Sequence, residues 1–276
     1  MAFKYPSVLT IAGSDSSGGA GIQADIKTIS ALGCYAASAI TAITVQNTVG
    51  VTDIHSVPVA IVRDQIKAVM DDIGPDVIKI GMIHSKELAI IIAETLRQYP
   101  TVSVIFDPVM VATSGDKLIE DETIEVLKEY LFPLATTVTP NIDEATFLSG
   151  LMIRNVDDMK EAGHRILQTG CQTVLVKGGH LQDESIFDLY IDQLGKELLF
   201  KSDYIPTDNV HGTGCTLSAA IASYLAIGNT IEAAVQHAHI YVHKAIVHGK
   251  DVKIGHGNGP LNHFYSPQKL IKNKIV

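Results

Sequence analysis

The pentapeptide His211-Gly212-Thr213-Gly214-Cys215 precedes a run of small and apolar residues that reads as a helix through Ala226. Glycines at 212 and 214 let the backbone come close to an anion, and the free N–H groups of a helix start point at the same spot. Main-chain amides of Gly212, Thr213, Gly214 and Cys215 gathered in this way stabilise negative charge on a phosphoryl group in transfer. Cys215 itself stands where a helix start is expected to pull its thiol pKa down. The competing reading is a glycine turn followed by a small buried cysteine. GSDSSGGAG (13–21) is either a second phosphate cradle or a tight strand-to-helix turn. Its glycines at 13, 18, 19 and 21 fit neither GxxxxGK[ST] nor GxGxxG, which excludes a P-loop NTPase and a dinucleotide fingerprint.

Two acids and two polar side chains complete the set. Asp107, in DPVM, and Glu144, in TPNIDEA, occupy strand-end and helix-start positions from which carboxylates hold Mg²⁺ directly or through water. Their plainer roles are a solvated turn for Asp107 and, for Glu144, capping the helix that Asn141 begins. Lys177, in KGGH, follows an apolar strand and has the reach for nucleotide phosphates, or is a surface turn lysine. Gln46, in QNT, presents one acceptor and two donors, a match for an aminopyrimidine edge, or belongs to a polar turn. His237, His239 and His243 share one helix, but without HExxH a zinc site is disfavoured.

The elements that must position these residues alternate along the chain. Strand-like runs fall at 8–12, 35–44, 51–57, 77–80, 102–106, 136–138 and 173–176, and a hairpin around Gly195 at 186–191 and 197–202. Helical patterns fall at 21–32, 58–73, 85–97, 120–131, from Asn141, 155–169, 212–226 and 231–247. Such alternation predicts an α/β fold, a single three-layer domain with a mostly parallel central sheet and helices on both faces. No linker, charge block or repeat divides the 276 residues. In an open parallel sheet ligands bind beyond the carboxyl ends of the strands, and GSDSSGGAG, KIGM, DPVM, TPNIDEA, KGGH and HGTGC all fall on that rim. GHGNGP at 255–260 reads as a loop over the sheet edge. The tail SPQKLIKNKIV carries no clear pattern.

Composition bounds the partners. Thirty acidic against 21 basic side chains give a formal charge of −9, and tryptophan is absent. This argues against a nucleic-acid or anionic-membrane surface, both of which need a basic patch. Three scattered cysteines, Cys34, Cys171 and Cys215, form no CxxC and point to a reducing cytoplasm. No apolar run approaches the roughly 20 residues that span a bilayer, and the N-terminus does not read as a signal peptide.

Taken together, TIAGSDSSGGAGIQADIKT, QNT, KIGM, DPVM, TPNIDEA, KGGH, HGTGCTLSAAIA and GNGP closely resemble the hydroxymethylpyrimidine/phosphomethylpyrimidine kinases of thiamine biosynthesis, ribokinase-like enzymes, to about Phe264. The resemblance implies ATP-dependent phosphorylation of 4-amino-5-hydroxymethyl-2-methylpyrimidine to the monophosphate and then the diphosphate, with ATP and Mg²⁺. It implies that Gln46 bonds the ring, that Gly13, Ala20, Asp25, Met82, Val109 and Cys215 line the pocket, and that Asp107 and Glu144 organise Mg²⁺. It further implies Lys177 at the nucleotide phosphates, Lys244 near adenine, and the 212–215 amides as the anion hole. Cys215 takes the place of the aspartate base of related sugar kinases and is the candidate base. A homodimer is implied too, with YAASAITAI as a candidate edge. Two alternatives stand beside this reading. One is a pyridoxal kinase of the same cysteine-bearing branch. Its members resemble the chain from GSD to GTGC, but QNT and the cysteine-free lid VATSGD, with Ala112, speak for the pyrimidine. The other is a non-catalytic pyrimidine-binding sensor.

Overall fold

The computed structural model describes residues 2–110, 119, 121–178 and 185–274. The lid with Ala112, Glu120 at the expected start of the fourth helix, and Gly179 and His180 of KGGH lie outside these residues.

In chain order the elements are β1 (Phe3–Lys4), β2 (Ser7–Asp15), α1 (Gly21–Ala31), β3 (Tyr35–Gln46), β4 (Val51–Ser56) and α2 (Val59–Asp72). There follow β5 (Val77–Ile80), α3 (Lys86–Leu96), β6 (Ser103–Phe106), α4 (Asp121–Tyr130), β7 (Thr137–Val138), α5 (Ile142–Ser149) and α6 (Val156–Leu167). The last are β8 (Thr173–Lys177), β9 (Ser185–Asp192), β10 (Glu197–Asp203), α7 (Thr213–Ala226), α8 (Ile231–Gly249) and β11 (Asn273–Lys274). Nine strands form one sheet in the order β10-β9-β8-β7-β6-β5-β2-β3-β4. The central six run parallel, while β4, β9 and β10 add antiparallel edges. The expected α/β class and its layers are therefore present.

Strand alternation explains why helices cover both faces. Leu9, Ile11, Ile78, Ile80, Val104, Phe106, Val174 and Val176 join one core with residues of α2 to α6. Their neighbours Val8, Val77, Ile105 and Leu175 join the other with α1, α7 and α8. Successive strand side chains point to opposite faces, so each apolar run feeds two cores. The same rule sends Thr10 and Lys79, in register across β2 and β5, toward the α1/α7 side.

Helix ends follow local chemistry. Ser85, Asn155 and Thr230 accept from N–H groups of the first turns of α3, α6 and α8. At α5, Asn141 accepts from the Glu144 N–H while the Glu144 carboxylate accepts from the Asn141 N–H, a complete capping box. Two differences from the sequence reading bear on the site. β2 does not stop at Ala12 but continues through Gly13, Ser14 and Asp15 with a bulge, so the true turn is only Ser16 to Ala20. The tail is extended: Gln268 and Ile271 donate to Ala31 and Gly33, and β11 pairs with β1. Among the described residues no helix is long and apolar enough to cross a membrane.

Candidate active site

One cavity of about 650 Å³ opens at the carboxyl ends of the parallel strands, beside the point where the strand order reverses between β2 and β5. Gly13, Ala20, Gln46, Met82, Val109, Asp107, Glu144, Lys177, Gly212, Thr213, Gly214 and Cys215 all contribute to its wall. Motifs scattered over two hundred residues of chain thus converge on one space.

α7 supplies the anion-gathering end. Its N-cap, Gly212, has φ +83°, and a Cβ there would collide with the carbonyl oxygen of Gly19. Only glycine fits both demands. A Cβ on Gly214 would lie 3.2 Å from the Lys177 Nζ and 3.4 Å from Asp107 Oδ2, so the bare backbone approaches the charged groups directly. The opening N–H groups of α7 have no intrahelical acceptors. The Thr213 N–H, however, donates to Val210 O at 3.2 Å, and its hydroxyl donates there too at 2.7 Å. Of the four amides expected in the anion hole, the one on Thr213 is therefore engaged.

Asp107 ends β6 and is buried. Its Oδ1 lies 2.8 Å from the Lys177 Nζ and accepts the Thr139 hydroxyl at 3.0 Å. The Lys177 N–H donates to Pro140 O at 2.8 Å, which brings the end of β8 alongside the start of α5 and hence beside Glu144. Burial pushes the Asp107 carboxyl upward, but Lys177 and Lys79 outweigh it and hold the pKa low. Glu144 behaves oppositely. Burial, reinforced by the Asp107 charge and only partly opposed by Lys177, raises it to about 7. Glu144 caps α5, as its spacing from Asn141 predicts, and also faces the cavity.

Cys215 departs from expectation. Burial pushes its thiol up to about 11, with Asp25 and Asp107 adding to the rise; Lys79 works the other way and loses. The pull of the helix start does not prevail in this acidic, buried setting. Asp25 departs as well. It does not line the cavity but lies fully buried behind it, 2.9 Å from the Lys79 Nζ and accepting the Thr10 hydroxyl at 2.6 Å. Lys244 sits exposed on α8, outside the main cavity, in an adjoining recess with His243, Lys201 and Asp203.

Three groupings escaped sequence reasoning. Lys79 is fully buried in the cavity wall, where Asp25 holds it protonated against the downward push of burial. Its signal was available: a lysine inside the apolar strand VIKI. His211 Nε2 lies 2.9 Å from Asp15 Oδ2, and Asp15 also accepts from the N–H groups of Ser17, Gly19 and Ala20. Burial pushes the Asp15 carboxyl up, but the bonds from His211 and Ser17 prevail and hold it far below the usual range. His239 pairs with Asp188 at 2.9 Å on the α8 side of the cavity, whereas His237 packs on Tyr224. Among the described residues no three His, Cys, Asp or Glu side chains cluster as for a metal cage.

The phosphomethylpyrimidine kinase family model matches residues 15–262. The chain belongs to the phosphomethylpyrimidine kinase family. A hydroxymethylpyrimidine/phosphomethylpyrimidine kinase of Rhizobium meliloti is 49% identical over 259 residues, 93% of this chain and 96% of that protein. A probable thiamine biosynthetic bifunctional enzyme, chloroplastic, of Oryza sativa subsp. japonica is 46% identical over 265 residues, 95% of this chain but 48% of that protein. The chain thus spans about half the length of the bifunctional relatives it matches. Among solved structures, the pyridoxal kinase from Staphylococcus aureus in complex with pyridoxal aligns with a TM-score of 0.86 at 37% identity, covering 96% of this chain and 94% of that one. Family members are kinases, and the ribokinase-like architecture expected from the motifs is the one this member has.

Proposed function

We propose that the chain transfers the γ-phosphoryl group of ATP to the hydroxymethyl oxygen of 4-amino-5-hydroxymethyl-2-methylpyrimidine, and then to the monophosphate, in thiamine biosynthesis. One observation carries the reading. A single cavity joins the glycine-opened start of α7, the buried Asp107–Lys177–Glu144 group and the Gln46 amide. Phosphoryl transfer asks a protein mainly for positioning and charge stabilisation, and these are the parts for both.

Gln46 is the ring-binding residue. The Thr44 hydroxyl sits 3.0 Å from its Oε1 and the His211 ring 3.5 Å from its Nε2, which orient the amide with an N–H toward a ring acceptor. Gly13, Ala20, Met82 and Val109 form the neutral remainder of that wall, and Asp25 supports it from behind through Lys79. A Cβ on Gly13 would come within 2.7 Å of the Met82 methyl, so the glycine makes room for Met82 in that wall. Lys177 meets the nucleotide phosphates as a half-buried point charge. The amides of Gly212, Gly214 and Cys215 face the group in transfer, and the Thr213 bonds to Val210 hold the turn. Val242 and Ile246 of α8 give the nucleotide base an apolar wall, with Lys244 flanking it outside.

Asp107 and Glu144 fit a hydrated magnesium ion. They are two buried oxygen donors; burial, and after it the Asp107 charge, raises Glu144, and a divalent cation would offset both. When bound, the ion supplies neutralisation of phosphate charge. Cys215 is the candidate acceptor of the alcohol proton. Its thiol is mostly protonated at neutral pH, so positioning dominates over base help. Tyr35, Ile43 and Val45, exposed on β3, support a homodimer through that face of a cytoplasmic enzyme.

Incubation with ATP, Mg²⁺ and the pyrimidine alcohol, followed by mass identification, tests the reading. Monophosphate then diphosphate, with matching ADP, is expected. Higher catalytic efficiency on pyridoxal would favour the pyridoxal reading, and binding without ADP release would favour a sensor.

A further inference from the structure

The segment Gly255-His256-Gly257-Asn258-Gly259-Pro260 is more than a loop over the sheet edge. Its alternate glycines press on two separate turns of the active site. A Cβ on Gly255, whose φ is +74°, would collide with the Thr48 hydroxyl, and one on Gly257 would collide with the Thr48 carbonyl oxygen. The N–H groups of His256 and Gly257 both donate to Thr48 Oγ1 at 3.1 Å. Thr48 is two residues beyond Gln46, in the turn that closes the β3–β4 hairpin. At the other end, a Cβ on Gly259 would collide with Asn209 Oδ1, and the His211 N–H donates to Gly259 O at 3.0 Å. His211 directly precedes the N-cap of α7. Asn209 is itself tied down, its Nδ2 lying 2.8 Å from Gly249 O and 2.6 Å from Val252 O.

We infer that residues 255–259 are a strap that fixes the ring-binding turn at a set distance from the anion-gathering turn, with Thr48 as the positioning residue at its substrate end. The strap spans five residues, and its backbone lies so close to Thr48 at one end and to Asn209 at the other that a side chain on Gly255, Gly257 or Gly259 would displace them. Neither turn shifts without the other. Phosphoryl transfer requires the alcohol oxygen in line with the transferring group, and small misplacements are costly. A direct backbone tie between the two binding walls meets that requirement where the hairpin alone, exposed at Val45 and Val49, would not. The kinetic part of this inference rests on the kinase reading above.

Two measurements separate the strap from that reading. Wild-type turnover of the pyrimidine alcohol judges the reading alone. Thr48→Val keeps the shape but removes the acceptor of two backbone N–H groups. It is expected to raise KM for the alcohol about tenfold, about 1.4 kcal/mol, to leave KM for ATP within about twofold, and to be rescued by Thr48→Ser. An unchanged KM for the alcohol, equal rises in both KM values, or no rescue by serine overturns the role of Thr48. Amide hydrogen exchange on the ligand-free protein judges the tie whatever the substrate proves to be. In Thr48→Val, peptides covering 46–49 and 209–214 are both expected to exchange faster than in wild type. Faster exchange in 46–49 with 209–214 unchanged overturns the coupling. Thr48→Ala serves for both measurements if the valine variant does not fold.

Discussion

The two ends of the cavity are built on opposite principles. At the phosphoryl end, Asp107, Lys177 and Glu144 are buried charges that define one another's protonation, and the backbone of Gly214 lies against them. At the other end, the one proposed for the ring, Gly13, Met82 and Val109 present neutral surface around the Gln46 amide, and the charges close to it, Asp15 and His211, are paired with each other. The charged end is over-determined, because removing any partner leaves another charge uncompensated in a dry setting. The neutral end is set by shape and tolerates change more gradually. The contrast teaches that a substitution among the coupled charges should cost more than one on the neutral surface.

Four measurements break or sharpen this contrast. The largest effect is expected at the charged end. Asp107→Asn should lower kcat by about 10³ with a smaller change in KM for the alcohol, as when a preorganised electrostatic group is lost. A loss confined to KM for the alcohol would erase the distinction between the ends. At the neutral end, Gln46→Leu should raise KM for the pyrimidine alcohol about thirtyfold and leave KM for ATP alone, the cost of one unpaired ring acceptor. Steady-state kinetics with each substrate varied in turn reads both variants.

Cys215 lies between the ends. Cys215→Ser should lower kcat about tenfold at neutral pH, less than a typical general base contributes, because burial keeps the thiol protonated up to about 11. In wild type kcat should rise with pH between 7 and 9 and in the variant stay flat. Equal turnover with equal pH profiles would remove the thiol from proton transfer.

The smallest effect concerns the support behind α7. His263 lies 3.2 Å from the Thr216 hydroxyl, which in turn bonds Gly212 O. Burial, helped by Lys27, depresses its pKa to about 4. A histidine depressed in the folded state is bound by an extra proton only on unfolding, so its stabilising neutrality is fully present above about 6.5 and is lost as pH falls toward 4. Between pH 7 and 5.5 this group should cost about 1 kcal/mol of stability, and His263→Gln should flatten that part of the profile in urea titrations. A variant with the wild-type slope would clear His263.

Much of this site was legible because its chemistry is carried by short motifs at strand ends. Asn141 and Glu144 announce their capping box by spacing alone, and Gly212 and Gly214 mark a turn that needs bare backbone. What was not legible depends on distance in the chain or on competition between effects. Asp15 and His211 are 196 residues apart, and nothing local to either foretells their bond. Asp25 was expected on the cavity wall, but it faces the lysine that β5 turns toward α1, and so lies one layer behind. For Cys215 the helix start was the visible local influence; burial and the charges of Asp25 and Asp107, which reverse it, come from other elements. β2 outruns its sequence pattern because Gly13 and Ser14 are poor strand formers; Gly13 sits at the bulge, and Ser14 and Asp15 are held by pairing with Ile43 and Thr44 of β3.

The short clasp between β1 and β11 has a consequence of its own. Phe3 faces Lys274 and Lys4 faces Asn273, so these two segments lie side by side. A brief connector engineered across the clasp would join residues 3–274 into a ring that can be cut elsewhere. The tip of the β9–β10 hairpin, with Leu194 almost wholly solvent-exposed and Gly195 at φ +82°, is the natural place for the cut.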